Sequence, residues 1–131
     1  MYPILEKRRL NETTTLMRVL APRVAKKAGP GQFIILRIDE NGERIPLTIA
    51  GYDREQGTVT IIFQKVGKTT IHLDELEAGD ALLDFVGPLG RVSEYGDVKG
   101  KRVAVIGGGL GIAIAYPQAV ALHELGAKVD V

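Results

Sequence analysis

The chain has 131 residues, which suits one ordinary domain or one domain and a piece of the next. With 45% hydrophobic residues, 25% charged residues and a net charge of +1, its composition is globular and does not favour nucleic acid or a charged membrane surface as a partner. It has no cysteine, which excludes a disulfide, a thiolate nucleophile and iron–sulfur ligands among these residues. No apolar run approaches the roughly 20 residues of a membrane-spanning helix, so we expect a cytoplasmic protein with no membrane partner.

The first hundred residues contain short apolar runs separated by turn signals, a pattern typical of a small antiparallel β-barrel or sandwich. Pro46 lies in the fourth run, where it removes a ladder donor and favours an edge or irregular strand that can face a ligand. The basic run 23–27 is expected to be a solvated loop, because runs of charge usually are. The six predicted strands are residues 4–10, 15–20, 32–38, 43–52, 58–66 and 81–86.

Gly67-Lys68-Thr69-Thr70 precedes a short predicted helix over residues 71–76. A glycine, a lysine and two hydroxyls before a helix are typical of a phosphate cradle, because backbone N–H groups at the helix start attract anions. The alternative is a plain N-cap, with Thr70 capping and acidic residues in the first turns. This stretch alone leaves both open. Its acidic residues, Asp74, Glu75 and Glu77, are expected to form a solvated helix face rather than a metal site.

The last third of the chain has the pattern of a βαβ unit: a strand over 103–106, the glycine turn 107–111, a helix over 114–125 and a strand over 127–131. A glycine turn that opens a helix exposes backbone N–H groups to a phosphate, although a tight turn with no ligand remains the alternative. The strict G-x-G-x-x-G/A spacing is not met, since its last position falls on Ile112.

Three further residues are candidates of lesser weight. Asp130 lies about 20 residues beyond the glycine turn, where a ribose-binding carboxylate is usual, but its place within the strand pattern favours a solvated strand residue. His72 and His123 lie on predicted helices with no triad and no metal-ligand context, so we expect no catalytic role and no metal site.

The domain boundary is predicted near residues 96–101, which divides the chain into 1–97 and 98–131. Two parallel strands and one helix cannot bury both faces of a sheet, as parallel sheets normally require. We therefore expect the chain to be a truncated product or an isolated domain.

Five stretches in this order resemble the ferredoxin–NADP reductase superfamily: APRVAKKAGPGQFIILR, ERIPLTIAGYD, FQKVGKTTIHL, DFVGPLG and VIGGGLGIA. Within it, the chain is similar to the small FAD-carrying subunit of the NADH-dependent ferredoxin–NADP oxidoreductases, also called sulfide dehydrogenase subunits. A near relative is the electron-transfer subunit of dihydroorotate dehydrogenase. The resemblance implies a six-stranded antiparallel Greek-key β-barrel that binds FAD, followed by the incomplete βαβ start of a Rossmann-like NAD(P) domain.

The resemblance also implies a set of site residues. Arg44 would offer planar, bidentate donors to the FAD pyrophosphate, and Thr48, the one implied catalytic residue, would hydrogen-bond near flavin N5. The glycine turn 107–111 would take the NAD(P)H pyrophosphate. The implied cofactor-binding residues are Arg44, Pro46, Leu47, Thr48, Ile62, Phe63, Gln64, Gly67, Lys68, Thr69, Thr70, Gly87, Pro88, Leu89, Gly90, Gly107, Gly108, Gly109, Leu110 and Gly111.

The implied activity is hydride transfer between NAD(P)H and FAD, with electrons passed onward to iron–sulfur centres of a larger catalytic subunit and to ferredoxin. The relatives hold a 2Fe–2S cluster through cysteines in a C-terminal segment, so this cluster is expected only in a longer chain. The dihydroorotate dehydrogenase branch is the first alternative. A flavin-free β-barrel binding module is the second, disfavoured by near-neutral charge and few aromatic residues for stacking.

Overall fold

The computed structural model describes all 131 residues, which form nine β-strands, three α-helices and one 3₁₀ turn. The strands are β1 (Tyr2–Arg9), β2 (Thr14–Leu20), β3 (Phe33–Arg37), β4 (Ile45–Asp53), β5 (Thr58–Gln64), β6 (Ala81–Leu82), β7 (Asp84–Leu89), β8 (Arg102–Ala104) and β9 (Lys128–Asp130). The helices are α1 (Pro22–Lys27), α2 (Lys68–Glu75) and α3 (Ile112–Glu124), and the 3₁₀ turn is Gly109–Gly111. None of the helices has the length and hydrophobicity needed to cross a membrane.

The first seven strands form one antiparallel sheet in the order β6-β1-β2-β5-β4-β3-β7. Its two edge strands, β6 and β7, are separated by a single residue, Leu83. Because consecutive Cα atoms are only about 3.8 Å apart, the two edges must come together, and the sheet curls into a nearly closed barrel. The N–H of Leu83 donates to the carbonyls of Arg37 and Ile38, both at 3.1 Å.

The predicted antiparallel barrel is confirmed, while the predicted count of six strands is one too low. The run 81–86 breaks at Leu83, so that β6 pairs with β1 and β7 pairs with β3. The Greek-key connection is present as well. Strands β3, β4 and β5 are successive neighbours, and β5 also pairs with β2, the strand that precedes β3 in the chain. Alternate residues of these strands fill the barrel, and the largest fully buried side chains are Phe63 and Phe85.

The basic run after β2 is a helix and not the solvated loop that was expected. Pro22 occupies the first turn of α1, where its missing N–H costs nothing. Lys26 and Lys27 lie in the last turn, where positive charge interacts favourably with the negative end of the helix dipole. Val24 and Ala25 are buried in the core beneath the helix. The charges therefore occupy one face of a short helix that covers the barrel.

A buried carboxylate fixes α2 to the barrel, which contradicts the expectation that Asp74 lies on a solvated face. Asp74 is only 7% exposed, and its Oδ1 accepts a 2.5 Å hydrogen bond from the hydroxyl of Thr15 on β2. Its Oδ2 accepts a 2.7 Å hydrogen bond from Arg9 on β1 and lies 3.5 Å from Nζ of Lys65, just after β5. Nζ of Lys7 on β1 donates to the main-chain carbonyl of Asp74. Three strands are thus tied to one helix.

The C-terminal residues form the predicted βαβ unit. Strands β8 and β9 pair in parallel and α3 connects them, although each strand has only three residues. The helix packs on β4, with Pro117 buried. Two hydrogen bonds attach the loop between β7 and β8 to the barrel and to α3. The N–H of Ser93 donates to the carbonyl of Pro30 (2.8 Å), and Nε2 of Gln118 donates to Oγ of Ser93 (2.8 Å).

The Asp74 cluster predicts a loss of stability in acid. Burial raises the pKa of Asp74, but the Thr15 hydrogen bond and the charges of Arg9, Lys7 and Lys65 outweigh it, so the net pKa lies below the ordinary 3.8. Because the folded-state pKa is depressed, this stabilisation is present above pH 3.8 and is lost as the pH falls through the lower folded value. The variant Asp74→Asn should therefore be less stable than the unaltered chain at neutral pH, by about 2 kcal/mol, and should decline less in acid.

Urea unfolding at pH 7, 5 and 3 measures both effects. The control is Glu75→Gln, which removes an exposed carboxylate from the same helix and should change the free energy of unfolding by less than about 0.5 kcal/mol. Equal stabilities for Asp74→Asn and the control at pH 7 would contradict the assigned role of Asp74.

Candidate cofactor site on the outer face of the barrel

The outer face of β4, β3 and β7 carries three rows of side chains, because directly paired residues of antiparallel strands point to the same side of a sheet. Thr48, Phe33 and Leu89 are aligned across the three strands in one row. Pro46, Ile35 and Val86 form the next row, and Arg37 pairs with Asp84 in the third. Arg44 immediately precedes β4 and reaches Asp84.

The third row forms the ionic end of this face. Oδ2 of Asp84 accepts hydrogen bonds from Nε of Arg37 at 2.8 Å and from Nη1 of Arg44 at 2.9 Å. Desolvation raises the pKa of Asp84. The hydrogen bond from Arg44 and the charge of Arg37 lower it by more than desolvation raises it, so the net pKa lies below 3.8. Asp84 is therefore ionised at neutral pH, while the Arg44 side chain remains 55% exposed.

The first row forms the apolar end. Between Ile35 and Phe33 the partner strand has one extra residue, so a bulge lifts Gly87-Pro88 from the regular pairing. A Cβ on Gly87 would lie 2.7 Å from Cγ2 of Ile34, so only glycine fits against β3 at this point. Gly90 has φ +82°, a conformation that favours glycine, and lies against the ring of Phe33. Packing thus accounts for Gly87 and backbone conformation for Gly90, whatever this segment binds.

Strand β5 extends the outer face on the other side of β4. Ile62 and Gln64 are half-buried and alternate with Phe63, whose side chain is 1% exposed in the core. Leu47 also packs against the core, opposite Ile34. Phe63 and Leu47 could therefore contact a ligand on this face only through their backbone atoms.

The first turn of α2 lies beyond the end of β5. The helix begins at Lys68, three residues before the predicted start, so Gly67 is the N-cap and Thr70 is the third helical residue. Oγ1 of Thr70 accepts hydrogen bonds from the N–H groups of Val66 and Gly67, both at 3.0 Å. The N-cap alternative is thus wrong in assigning the cap position to Thr70, which instead closes the turn from inside the helix.

Backbone donors remain available in this turn. The first intrahelical bond runs from the N–H of Ile71 to the carbonyl of Gly67 (2.9 Å), which leaves the N–H groups of Lys68, Thr69 and Thr70 without helical partners. A Cβ on Gly67 would meet no atom within 4 Å, so the approach is open. These features match an anion site at a helix N-terminus.

A cavity of about 530 Å³ separates this turn from the β3–β4 hairpin. The hydroxyl of Thr69 donates to Oε2 of Glu43 across it, at 2.9 Å. Lys68 and His72 line it from α2, and Asn41 lines it from the hairpin. The contact between Glu43 and Thr69 therefore places Arg44, the next residue in the chain, on the same side of the barrel as the α2 N-terminus.

The glycine turn 107–111 lies outside the barrel, at the start of α3. A Cβ on Gly107 would lie 3.0 Å from Cβ of Ala115, so this glycine permits close packing of strand and helix. Gly109 has φ +57°, and a Cβ at Gly108, Gly109 or Gly111 would meet nothing within 4 Å. Their backbone is open at a helix N-terminus, a geometry that can accept a phosphate.

Sequence reasoning did not identify Arg37, Asp84 or Glu43 as part of this region. Arg37 and Asp84 are 47 residues apart in the chain and meet only through the pairing of β3 with β7. Glu43 adjoins Arg44, but its contact with Thr69 depends on the position of α2. Alternation along β3 places Arg37 on the same outer face as Phe33 and Ile35. Only the register between β3 and β7 shows that Asp84 lies opposite Arg37.

The residues present fit an elongated cofactor that carries a pyrophosphate. Three positive side chains, Arg37, Arg44 and Lys68, lie at one end with the free N–H groups of α2. The three residues Thr48, Phe33 and Leu89 lie at the other end. Arg44 and Thr48 are four residues apart, roughly 13 Å along an extended strand, a distance of the order spanned by a ribityl chain and its phosphate.

Comparisons with known proteins identify the family of the chain. Residues 2–95 match the model of the oxidoreductase FAD-binding domain family. An uncharacterized protein encoded in the adh 3′ region of Clostridium beijerinckii is 52% identical over all of this chain and 46% of its own length. A dihydroorotate dehydrogenase B (NAD(+)) electron transfer subunit homolog from Thermotoga maritima is 43% identical over 96% of this chain and 44% of its own length.

Among solved structures, an NADH-dependent reduced ferredoxin–NADP oxidoreductase involved in flavin-based electron bifurcation superposes with a TM-score of 0.91 and 41% identity. The match covers 98% of this chain and 46% of that one, so the chain spans about half the length of the relatives it matches. The family model covers all seven strands of the barrel and includes Arg44, Thr48 and the α2 turn. The chain therefore belongs to the oxidoreductase FAD-binding domain family.

Proposed function

We propose that the outer face of β5, β4, β3 and β7 binds FAD and that the chain is the FAD-binding part of an electron-transfer subunit. The subunit would transfer a hydride between NAD(P)H and FAD and pass electrons onward. The observation that carries the proposal is the convergence of Arg44 and the α2 N-terminus at one end of this face, with Thr48 at the other. Arg44 and the α2 N-terminus come from separate stretches of the chain and meet only on the folded barrel.

At the ionic end, the pyrophosphate would be held by the Arg44 guanidinium, Lys68 and the free N–H groups of α2. Arg37, Arg44 and Lys68 contribute three positive charges, against three negative charges from Asp84, Glu43 and the cavity-lining Asp39, so attraction for a phosphate would come from the directed donors rather than from net charge. The helix N-terminus adds to this attraction. The hydroxyls of Thr69 and Thr70 already have partners, so backbone donors would supply most of the hydrogen bonds from this turn.

At the apolar end, Thr48 would place its hydroxyl beside the flavin N5 edge, and the main chain around Gly87 and Gly90 would approach the ring. Ile62 and Gln64 would lie along the ribityl chain. FAD supplies the hydride and single-electron chemistry when bound, and the protein supplies orientation and electrostatics. The open backbone of Gly107–Gly111 would receive the NAD(P)H pyrophosphate.

The larger assembly belongs to the same proposal. By likeness to its relatives, the chain would work in the cytoplasm with a larger catalytic subunit that carries flavin and iron–sulfur centres, and with ferredoxin as an electron partner. A 2Fe–2S cluster would need cysteines from outside these 131 residues, which contain none. The second candidate is the electron-transfer subunit of dihydroorotate dehydrogenase, favoured by the 43% identity to the Thermotoga maritima homolog.

Arg44→Ala should weaken FAD binding by about tenfold or more, because it removes a charged donor to the pyrophosphate. The affinity is measured by isothermal titration calorimetry, and retention of the flavin absorption bands after gel filtration provides a second measurement. The matched control is Arg8→Ala, which removes an arginine of similar exposure from β1. Equal FAD affinities for both variants would contradict the proposed site.

The chain by itself should retain FAD yet oxidise NADH slowly. Its nucleotide-binding unit has only two short parallel strands, and Ile106 and Ile114 remain 92% and 54% exposed beside the glycine turn. We expect such a unit to hold the nicotinamide weakly, since parallel sheets are normally covered on both faces. Steady-state NADH oxidation with an artificial electron acceptor measures this, and turnover at the rate of a complete reductase would contradict the expectation.

A further inference from the structure

The bridge between Arg37, Asp84 and Arg44 suggests a division of labour within the FAD site. Resting on the function proposed above, we propose that Asp84 is the positioning residue that orients Arg44 toward the pyrophosphate and that Arg37 restores the positive charge that Asp84 cancels. Asp84 begins β7 directly after Leu83, the residue at which the barrel closes. Its place is thus fixed by the main chain on one side and by pairing with Arg37 on the other.

The orientation of Arg44 follows from the atoms that make the contact. A guanidinium has five N–H donors in a rigid plane, and Arg44 directs Nη1 to Oδ2 of Asp84 at 2.9 Å. The edge formed by Nε and Nη2 has no hydrogen-bond partner and can offer two parallel N–H groups to a phosphate. An arginine at 55% exposure would otherwise sample many rotamers, and binding would then cost conformational entropy.

The charge balance explains the need for Arg37. A carboxylate beside a pyrophosphate site opposes binding, and a pair of Asp84 with Arg44 alone would carry no net charge. With Arg37 the bridge contains two positive groups and one negative group, a net charge of +1. Arg37 is 24% exposed and donates to the same oxygen as Arg44, so it also holds the carboxylate in place.

The test is a double-mutant cycle read out as the FAD dissociation constant of four proteins: the unaltered chain, Asp84→Ala, Arg44→Ala and the double variant. We expect Asp84→Ala to weaken FAD binding by about fivefold when Arg44 is present and by less than about twofold when Arg44 is absent. Asp84→Asn keeps one acceptor atom and should recover part of the loss. Arg37→Gln should weaken binding as well, because the remaining pair of Asp84 with Arg44 carries no net positive charge.

Charge alone predicts the opposite sign, since removal of a carboxylate near a phosphate should tighten binding. Tighter binding by Asp84→Ala, or an equal loss with and without Arg44, would overturn the positioning role. An equal loss with and without Arg44 would indicate that Asp84 only stabilises the fold. The melting temperature of each variant without FAD measures that stabilisation directly. If Asp84→Ala does not fold, Asp84→Asn takes its place in the cycle.

The same four proteins distinguish failure of the proposed function from failure of this inference. No FAD binding by the unaltered chain, or full binding by Arg44→Ala, would overturn both. Loss of binding in Arg44→Ala together with unchanged or tighter binding in Asp84→Ala would retain the FAD site and overturn the role of Asp84 alone.

Discussion

Leu83 separates two strands that lie at opposite edges of the same sheet, and this single-residue spacing determines the shape of the barrel. Because the chain leaves β6 at one edge and enters β7 at the other, the sheet has to close on itself. Closure brings Asp84 opposite Arg37 and within hydrogen-bond distance of Arg44. The ionic end of the proposed FAD site is therefore a consequence of the way in which the barrel closes.

The buried carboxylate of Asp74 plays a corresponding role for α2. Its contacts with Thr15, Arg9 and Lys65 fix the helix to three strands, and the first turn of that helix provides the free N–H groups of the site. Two acidic residues on different elements thus position the groups that would bind an anion, although neither donates to it. Asp74 is buried and serves the helix, whereas Asp84 lies within the site itself.

Sequence reasoning succeeded where the relevant information is local. Apolar runs and turn signals predicted five of the strands, and the glycine turn predicted the parallel βαβ unit. It failed where structure depends on distant partners. Asp74 looked solvated because Arg9 and Thr15 are far from it in the chain, and α1 looked like a loop because Val24 and Ala25 become buried only when the helix packs on the barrel. The break at Leu83 was missed because its two halves pair with different strands.

The central claim is that FAD binds on the outer face that joins Arg44, the α2 N-terminus and Thr48. The most direct measurement is the change in amide NMR chemical shifts of the ¹⁵N-labelled chain when FAD is added. We expect the largest changes at Lys68, Thr69 and Thr70 and along β4 near Thr48, with little change at the start of β1. Changes centred on the groove between Tyr52 and Tyr116, or no changes at saturating FAD, would contradict it.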